Sequence, residues 1–219
     1  MVIGDVHGCI EELEELLALA PEREVVFVGD LVAKGPNSLA VVRRARSLGA
    51  RAVCGNHDAH FLAHHRRDER MAARFSLSAY DCAQAEQLSP DDWAYLESLP
   101  RFLRLPAHGA ILVHAGLRPG VAPEEHDPSE LMTMRSVRPD GSSSKRIEDG
   151  EPWAALWPGP ETILFGHDAV RGLQQYPYAI GLDTGCVYGR SLTGLLLPER
   201  ELISVPARRV WSPPRGRPS

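Results

Sequence analysis

Five short apolar runs in this chain each end in a metal-competent residue beside a glycine turn, and this repetition constrains the fold more than any other feature. The turns are GDVHG (4–8), GD (29–30), GNHD (55–58), HAG (114–116) and GHD (166–168); the runs before them are VI, EVVFV, RAVC, AILV and TILF. Runs of that length, rich in β-branched residues and stopped by glycine, read as buried strands entering turns. Sites gather where the strands of an open sheet end. Glycine lets the backbone turn sharply and come close to an ion or a phosphate. A single histidine after a strand is ordinarily a structural hydrogen-bonder. Five such junctions, carrying Asp5, His7, Asp30, Asn56, His114 and His167, together predict a metal centre.

The rest of the chain sets the frame around those junctions. CIEELEELLALA (9–20) and SLAVVRRARSLG (38–49) carry helical apolar stripes, the second closed by Gly49. Residues 59–100 read as helical with a break at Leu88-Ser89-Pro90. After AILVHAG a long irregular stretch is expected, and RPDGSSSKRIEDGEP (138–152) reads as either a substrate-contacting lid or a solvated loop, the loop being favoured. Strands return at 162–168, 178–185, 191–198 and 201–207. Alternating elements followed by strands predict an α/β (α+β) fold with a mixed sheet, and stacked sheets flanked by helices are one form of it. The expected organisation is a single domain over 1–210 and a mobile tail over 211–219, where SPPRGRPS has no core-forming residues.

Composition removes several function classes. The chain has 219 residues, 43% hydrophobic and 24% charged, which suits one globular domain with a sizeable core. A net charge of −5 argues against non-specific nucleic-acid binding, leaving anionic substrates to local cations. No apolar run approaches the roughly 20 residues that span a bilayer. MVIGDVHG has no leader pattern, and the four cysteines show no CxxC spacing, so free thiols and a cytoplasmic location are expected. Nothing in the sequence specifies an oligomeric state.

The ligand inventory points to two ions. Two or three carboxylates, three imidazoles and one amide oxygen suit Mn²⁺, Fe²⁺, Co²⁺, Ni²⁺ or Zn²⁺ without thiolates, and one ion would leave donors unused. A carboxylate such as Asp30 can bridge ions about 3.5–4 Å apart and hold a hydroxide between them.

In order and spacing, GDVHG, GDLVAKG (29–35), GNHD, HAG and GHD resemble the calcineurin-like metallophosphatases of the phosphoprotein-phosphatase superfamily. The resemblance covers residue 1 to about 200. It departs from the protein phosphatases at Ala33 and Lys34, where they carry Asp-Arg, and at Asp168, where they usually carry Thr. GDLVAKGPNS and GHDAVRGLQ…GLDTGCVYG are instead similar to the ApaH-like branch, named for bacterial diadenosine tetraphosphate hydrolases, whose main group usually keeps Arg at the Lys34 position.

The resemblance implies a metallophosphoesterase fold, a central β-sandwich of mixed sheets with a dimetal site at strand ends. It implies Asp5 and His7 on the first ion, Asp30 bridging, and Asn56, His114 and His167 on the second. His57 would be the general acid, oriented by Asp58, while a bridging hydroxide attacks phosphorus. The implied cofactor is two divalent ions, Mn²⁺ first among them, and the implied substrate is a nucleotide polyphosphate, diadenosine tetraphosphate cut to two ADP. A serine/threonine protein phosphatase, a polyphosphate or capped-RNA pyrophosphohydrolase, and an inactive metal-binding scaffold are the competing readings.

Two cations are candidate phosphate clamps, Lys34 and Arg135, the latter in LMTMRSV between HAG and GHD. Arg171 and Arg190 read as surface residues. Cys9 and Cys186 read as packing residues, and Trp153, Trp157 and Tyr188 as core more readily than as an adenine platform. His60 and His64, at helical spacing, read as an exposed face.

Overall fold

Neighbouring residues along the short central strands point to opposite faces of a sheet, and here both faces are buried. The computed structural model describes residues 1–72 and 76–213. Its first half alternates β1 (Val2–Ile3), α1 (Ile10–Ala18), β2 (Val26–Phe27), α2 (Ser38–Ser47) and β3 (Arg51–Ala52). Four helices follow: α3 (Asn56–His65), α4 (Glu69–Ala72), α5 (Ala79–Ala85) and α6 (Pro90–Glu97). Then come β4 (Phe102–Leu105), β5 (Ala110–Val113), α7 (Pro128–Thr133), β6 (Ser136–Val137), β7 (Ser143–Ser144) and β8 (Glu151–Pro152). The chain closes with β9 (Thr162–Phe165), β10 (Gln174–Tyr176), β11 (Ala179–Gly181), β12 (Ser191–Leu196) and β13 (Glu201–Pro206).

Two five-stranded mixed sheets form, in the orders β13-β12-β1-β2-β3 and β10-β11-β9-β5-β4. They face each other across Val2, Val26, Val28 and Val53 from the first and Leu112, Leu164, Ile180 and Leu182 from the second. The alternate residues Ile3 and Phe27 point outward into a core with α1, α2, α3 and α6. Ile111, Val113, Ile163 and Phe165 point the other way, onto Leu131, Met134 and Trp153. The result is a β-sandwich covered on both outer faces, the fold expected from the resemblance.

Helix boundaries follow local chemistry. Asn37 Oδ1 accepts from Ala40 N at 2.9 Å to start α2, and Gly49, with φ of 59°, ends the turn after it. Ser89 caps α6 with Pro90 in its first turn, so the predicted break falls on a real boundary. The segment 138–152 is more structured than a plain loop: with Ser136 and Val137 it makes a small antiparallel sheet, β7-β6-β8. Two of the residues assigned to a tail are tied down, since the amides of Trp211 and Ser212 both donate to Val187 O at 3.0 Å; residues 214–219 lie outside the described residues. No helix among the described residues is long and apolar enough to cross a membrane.

Candidate metal centre

Parallel strands β1, β2 and β3 lie side by side, as do β5 and β9 in the facing sheet, so their carboxyl ends open at one edge of the sandwich. The five predicted junctions therefore meet. Asp5, Asp30 and His114 bring ligand atoms within 4.8 Å of one another, and so do His7, Asp30 and His57. Asp30 belongs to both groups. Asn56 Oδ1 lies 3.2 Å from His114 Nε2 and 3.0 Å from His167 Nδ1, so all six expected ligands converge.

The backbone is bent to achieve this. His7, Asp30 and His167 have φ of 48°, 51° and 68°, the left-handed region that non-glycine residues seldom occupy. Strain of this kind costs on the order of 1–3 kcal/mol per residue and persists only where surroundings fix it. Here His7 N donates to Asp30 O at 2.8 Å, and His167 N donates to Asp5 Oδ2 at 3.1 Å. Gly55 and Gly166 allow the closest approaches: a Cβ on either would collide with the carboxylate of Asp30 or of Asp5.

The histidines are oriented for metal. His7 Nδ1 lies 3.0 Å from Val32 O, His114 Nδ1 2.8 Å from Val28 O and His167 Nε2 3.2 Å from Thr133 O. A carbonyl only accepts, so each of these nitrogens carries the proton. The other nitrogen of each neutral ring then presents a lone pair inward. His7 Nε2 faces Asp30 Oδ2 at 3.4 Å, His114 Nε2 faces Asp30 Oδ1 at 3.5 Å, and His167 Nδ1 faces Asn56 Oδ1. At His114 and His167 acceptors point at acceptors, which a cation resolves, while at His7 the Lys34 ammonium, 3.0 Å from Nε2, is the cation already there. The donor set, imidazole with carboxylate and amide oxygen, suits a divalent first-row ion.

Electrostatics keep the set in that form. Burial pushes His114 down to about 4, and holds His7 and His167 well below the ordinary imidazole range, helped by Lys34 and Arg135 respectively. Burial raises Asp30 to about 6 against the pull of Lys34. Asp5 is likewise held well above the ordinary carboxyl range, by burial and then by the charges of Asp183 and Asp30.

The expected pairing of His57 with Asp58 is not formed. Asp58, fully buried, spends its carboxylate on three backbone amides: Asp30 N at 2.8 Å, Leu31 N at 3.0 Å and Gly55 N at 2.9 Å. Consecutive residues on a helix do not face each other, and both lie in the first turn of α3. The His57 ring packs instead edge-on against His7 and His60, at 5.0 and 5.2 Å, and burial, then Lys34, holds it neutral.

Both cations reach the centre. Lys34 Nζ lies 3.0 Å from His7 Nε2 and 5.3 Å from the Tyr188 ring centroid. Arg135 Nη2 donates to His167 O at 3.1 Å, Nη1 to Lys145 O at 3.0 Å, and Nε lies 3.4 Å from Asp168. Arg171 ties Asp168 to Ser136 Oγ from inside, whereas Arg190 stays at the surface on Ala169 O. Trp153 is core, against Phe165, with its indole N–H donating to Ala115 O at 3.0 Å. Cys9 and Cys186 are buried free thiols grouped with Glu12, and Cys9 Sγ lies 3.8 Å from His7 O.

One residue at the centre escaped the sequence reading. Asp183 is buried close enough for its charge to raise Asp5, and it is itself raised by burial and, less, by the charge of Asp30. Its signal was present, for YAIGLDTG is a further apolar run ending in Asp before a glycine.

The sequence pattern of the calcineurin-like phosphoesterases matches residues 1–188. The chain belongs to that family. This calcineurin-like phosphoesterase is 29% identical over 238 residues to the asymmetrical bis(5'-nucleosyl)-tetraphosphatase PrpE of Oceanobacillus iheyensis, covering 96% of this chain and 93% of that one. It is 32% identical over 275 residues to the symmetrical bis(5'-nucleosyl)-tetraphosphatase of Edwardsiella ictaluri, covering 96% of each. A solved structure of a candidate diadenosine tetraphosphatase superposes with a TM-score of 0.83 at 40% identity, covering 94% of this chain and 92% of that one.

Two outcomes follow from the geometry. Replacing Asp58 by Ala orphans three buried amides and is expected to lower the unfolding free energy by at least about 3 kcal/mol, measured in urea. His57→Ala is expected to change it by less than about 1 kcal/mol. Equal losses would restore a shared role. Mn²⁺ affinity is expected to fall with acid once Asp30 protonates near pH 6, by about tenfold per pH unit for each proton displaced. Titration calorimetry between pH 5 and pH 8, on a scale of roughly three decades, would show a flat profile if that carboxylate does not hold the ion.

Proposed function

We propose that this phosphoesterase hydrolyses dinucleoside polyphosphates, diadenosine tetraphosphate to two ADP, at the Asp30 centre. Residues 1–210 act as one domain. Asp5, His7 and Asp30 hold one divalent ion, and Asp30, Asn56, His114 and His167 hold the other, with Mn²⁺ the ion assigned. Those ions, when bound, supply Lewis acidity and an activated water. The observation that carries the reading is the convergence of unprotonated imidazole and carboxylate lone pairs on Asp30, with Lys34 on one side and Arg135 on the other.

The protein's own residues position the anion. Arg135, anchored on two carbonyls, presents a fixed guanidinium, and Lys34 presents a point charge on a long stem. Together they bind equatorial oxygens that gain charge as the anhydride opens. The His57 ring is neutral in the free protein, and no carboxylate is hydrogen-bonded to that ring among the described residues, the Asp30 carboxylate meeting only its main-chain N–H. It gives a proton to a leaving oxygen only after bound phosphate stabilises its imidazolium. A nucleoside diphosphate leaves as a weakly basic anion and has little need of that proton, whereas a serine alkoxide has much. The site as built therefore favours anhydrides over protein phosphoesters.

Relatives named for symmetrical and for asymmetrical cleavage resemble this chain over nearly its whole length. The attacked phosphorus is then a matter of where the outer nucleotides dock. Incubation with diadenosine tetraphosphate and Mn²⁺, followed by separation of the nucleotides, is expected to yield ADP alone. ATP with AMP means off-centre docking, and turnover of a phosphopeptide without turnover of the dinucleotide overturns the proposal. His57→Ala is expected to slow a phosphopeptide by about 10²-fold or more while slowing the dinucleotide by less than about tenfold; equal slowing removes His57 as the acid.

A further inference from the structure

Next to the metal centre lies a cavity of about 440 Å³, between α7 and the β6–β7 hairpin. That volume is within the range of small-ligand sites, roughly 300–1,000 Å³. Thr133 joins the two spaces: its carbonyl orients the His167 ring, and the residue also lines the cavity. Arg135 links them a second time, donating to His167 O on one side and to Lys145 O on the other.

The lining carries both signs of charge, but its acids have partners: Asp149 is bonded to Arg138 Nη2 at 2.9 Å and Glu130 lies 3.2 Å from Arg118 Nε. Lys145 and Arg146 are both exposed and line the cavity, and among the described residues neither side chain makes a hydrogen bond or close ion pair, Arg146 acting on Asp149 only through its charge. In a chain of net charge −5, two exposed cations next to the centre flanked by Lys34 and Arg135 suit a ligand with more negative charge than one phosphoryl group carries. Contacts order the cations as Lys34, the ligand cluster, Arg135, then Lys145 and Arg146. A polyphosphate laid along that row would have its attacked phosphorus at the cluster and its outer phosphates over Lys145 and Arg146.

We propose that this cavity is the subsite for the outer phosphates and one nucleoside of the substrate, with Lys145 and Arg146 as its phosphate contacts. The inference rests on the polyphosphate reading above. It makes the 138–152 segment a determinant of substrate length. Phosphate contacts from ammonium and guanidinium are charge-assisted and worth more than neutral hydrogen bonds.

The test is the double variant K145A/R146A. Lys145 holds Arg135 through its main-chain carbonyl, so truncating the side chain leaves that bond in place. With Mn²⁺ bound, KM for diadenosine tetraphosphate is expected to rise at least about tenfold relative to KM for p-nitrophenyl phosphate, which is too short to reach the cavity. The charge-preserving variant K145R/R146K is expected to recover most of the difference. Equal changes on both substrates, or none, overturn the subsite. In parallel, binding of diadenosine tetraphosphate to wild type and variant is measured in EDTA. An affinity loss of about tenfold or more in the variant supports the subsite, and unchanged affinity overturns it. Should the wild type fail to cleave the dinucleotide, the activity assignment falls, and the binding comparison alone decides the subsite.

Discussion

One carboxylate fastens together the two strand ends on which the centre depends. Asp58 accepts amides from Asp30 and Leu31 after β2 and from Gly55 after β3. The first of those bonds holds Asp30 in its left-handed conformation, and the last closes the first turn of α3. With that turn closed, His57 N points at Asp30 Oδ1 from 2.9 Å, and a carboxylate at a helix N-terminus is favoured by the helix dipole. Asn56, one residue earlier, is thereby aimed at His114 and His167. Burial raises the Asp58 carboxyl to about 6 even so. The clamp fixes the geometry of the centre and adds to the stability supplied by the three apolar layers around it.

Without bound ions the centre is electrostatically frustrated. Asp5, Asp30 and Asp183 are buried together, and each is pushed toward its neutral form. Lys34 is the resident counter-charge, since it lowers all three carboxyls and hydrogen-bonds His7. A divalent ion held by His7 would compete with this ammonium for the same lone pair, and the Tyr188 ring, 5.3 Å from Lys34 Nζ, already offers the cation a second contact.

Much of this was legible because it rests on short-range rules. Apolar runs stopped by Gly predicted the strand ends, and the ligand types named the chemistry before any contact was known. What escaped lay where residues adjacent in sequence were assumed adjacent in function. His57 and Asp58 read as a pair, yet successive positions of a helix point apart, and two of the three Asp58 partners come from a loop 27 and 28 residues away. Asp183 followed the same strand-end rule as the others but was passed over inside a longer motif. The sheet formed by β6, β7 and β8 was invisible for another reason. Its strands are two residues each, built largely from Ser, Pro and Glu, so there is no apolar alternation to read. They are held by side chains such as Arg138 and Arg171, whose partners are set by tertiary contact.

The two cations flanking the cluster differ in a way that bears on what the site can hold. Arg135 is fixed on three sides, by His167 O, Lys145 O and Asp168. Its planar fork can serve only an oxygen that arrives at one place. Lys34 begins from a left-handed backbone whose amide is held by Asp81 at 3.1 Å, but its four-carbon stem is held only at the tip. A compact ester presents three oxygens in one rigid arrangement, and two fixed guanidiniums would grip it best. A polyphosphate presents oxygens on successive phosphorus atoms whose torsions vary. On the proposed polyphosphate reading, one immobile fork would set the register at the reacting phosphorus, and one adaptable point charge would follow the chain wherever it bends.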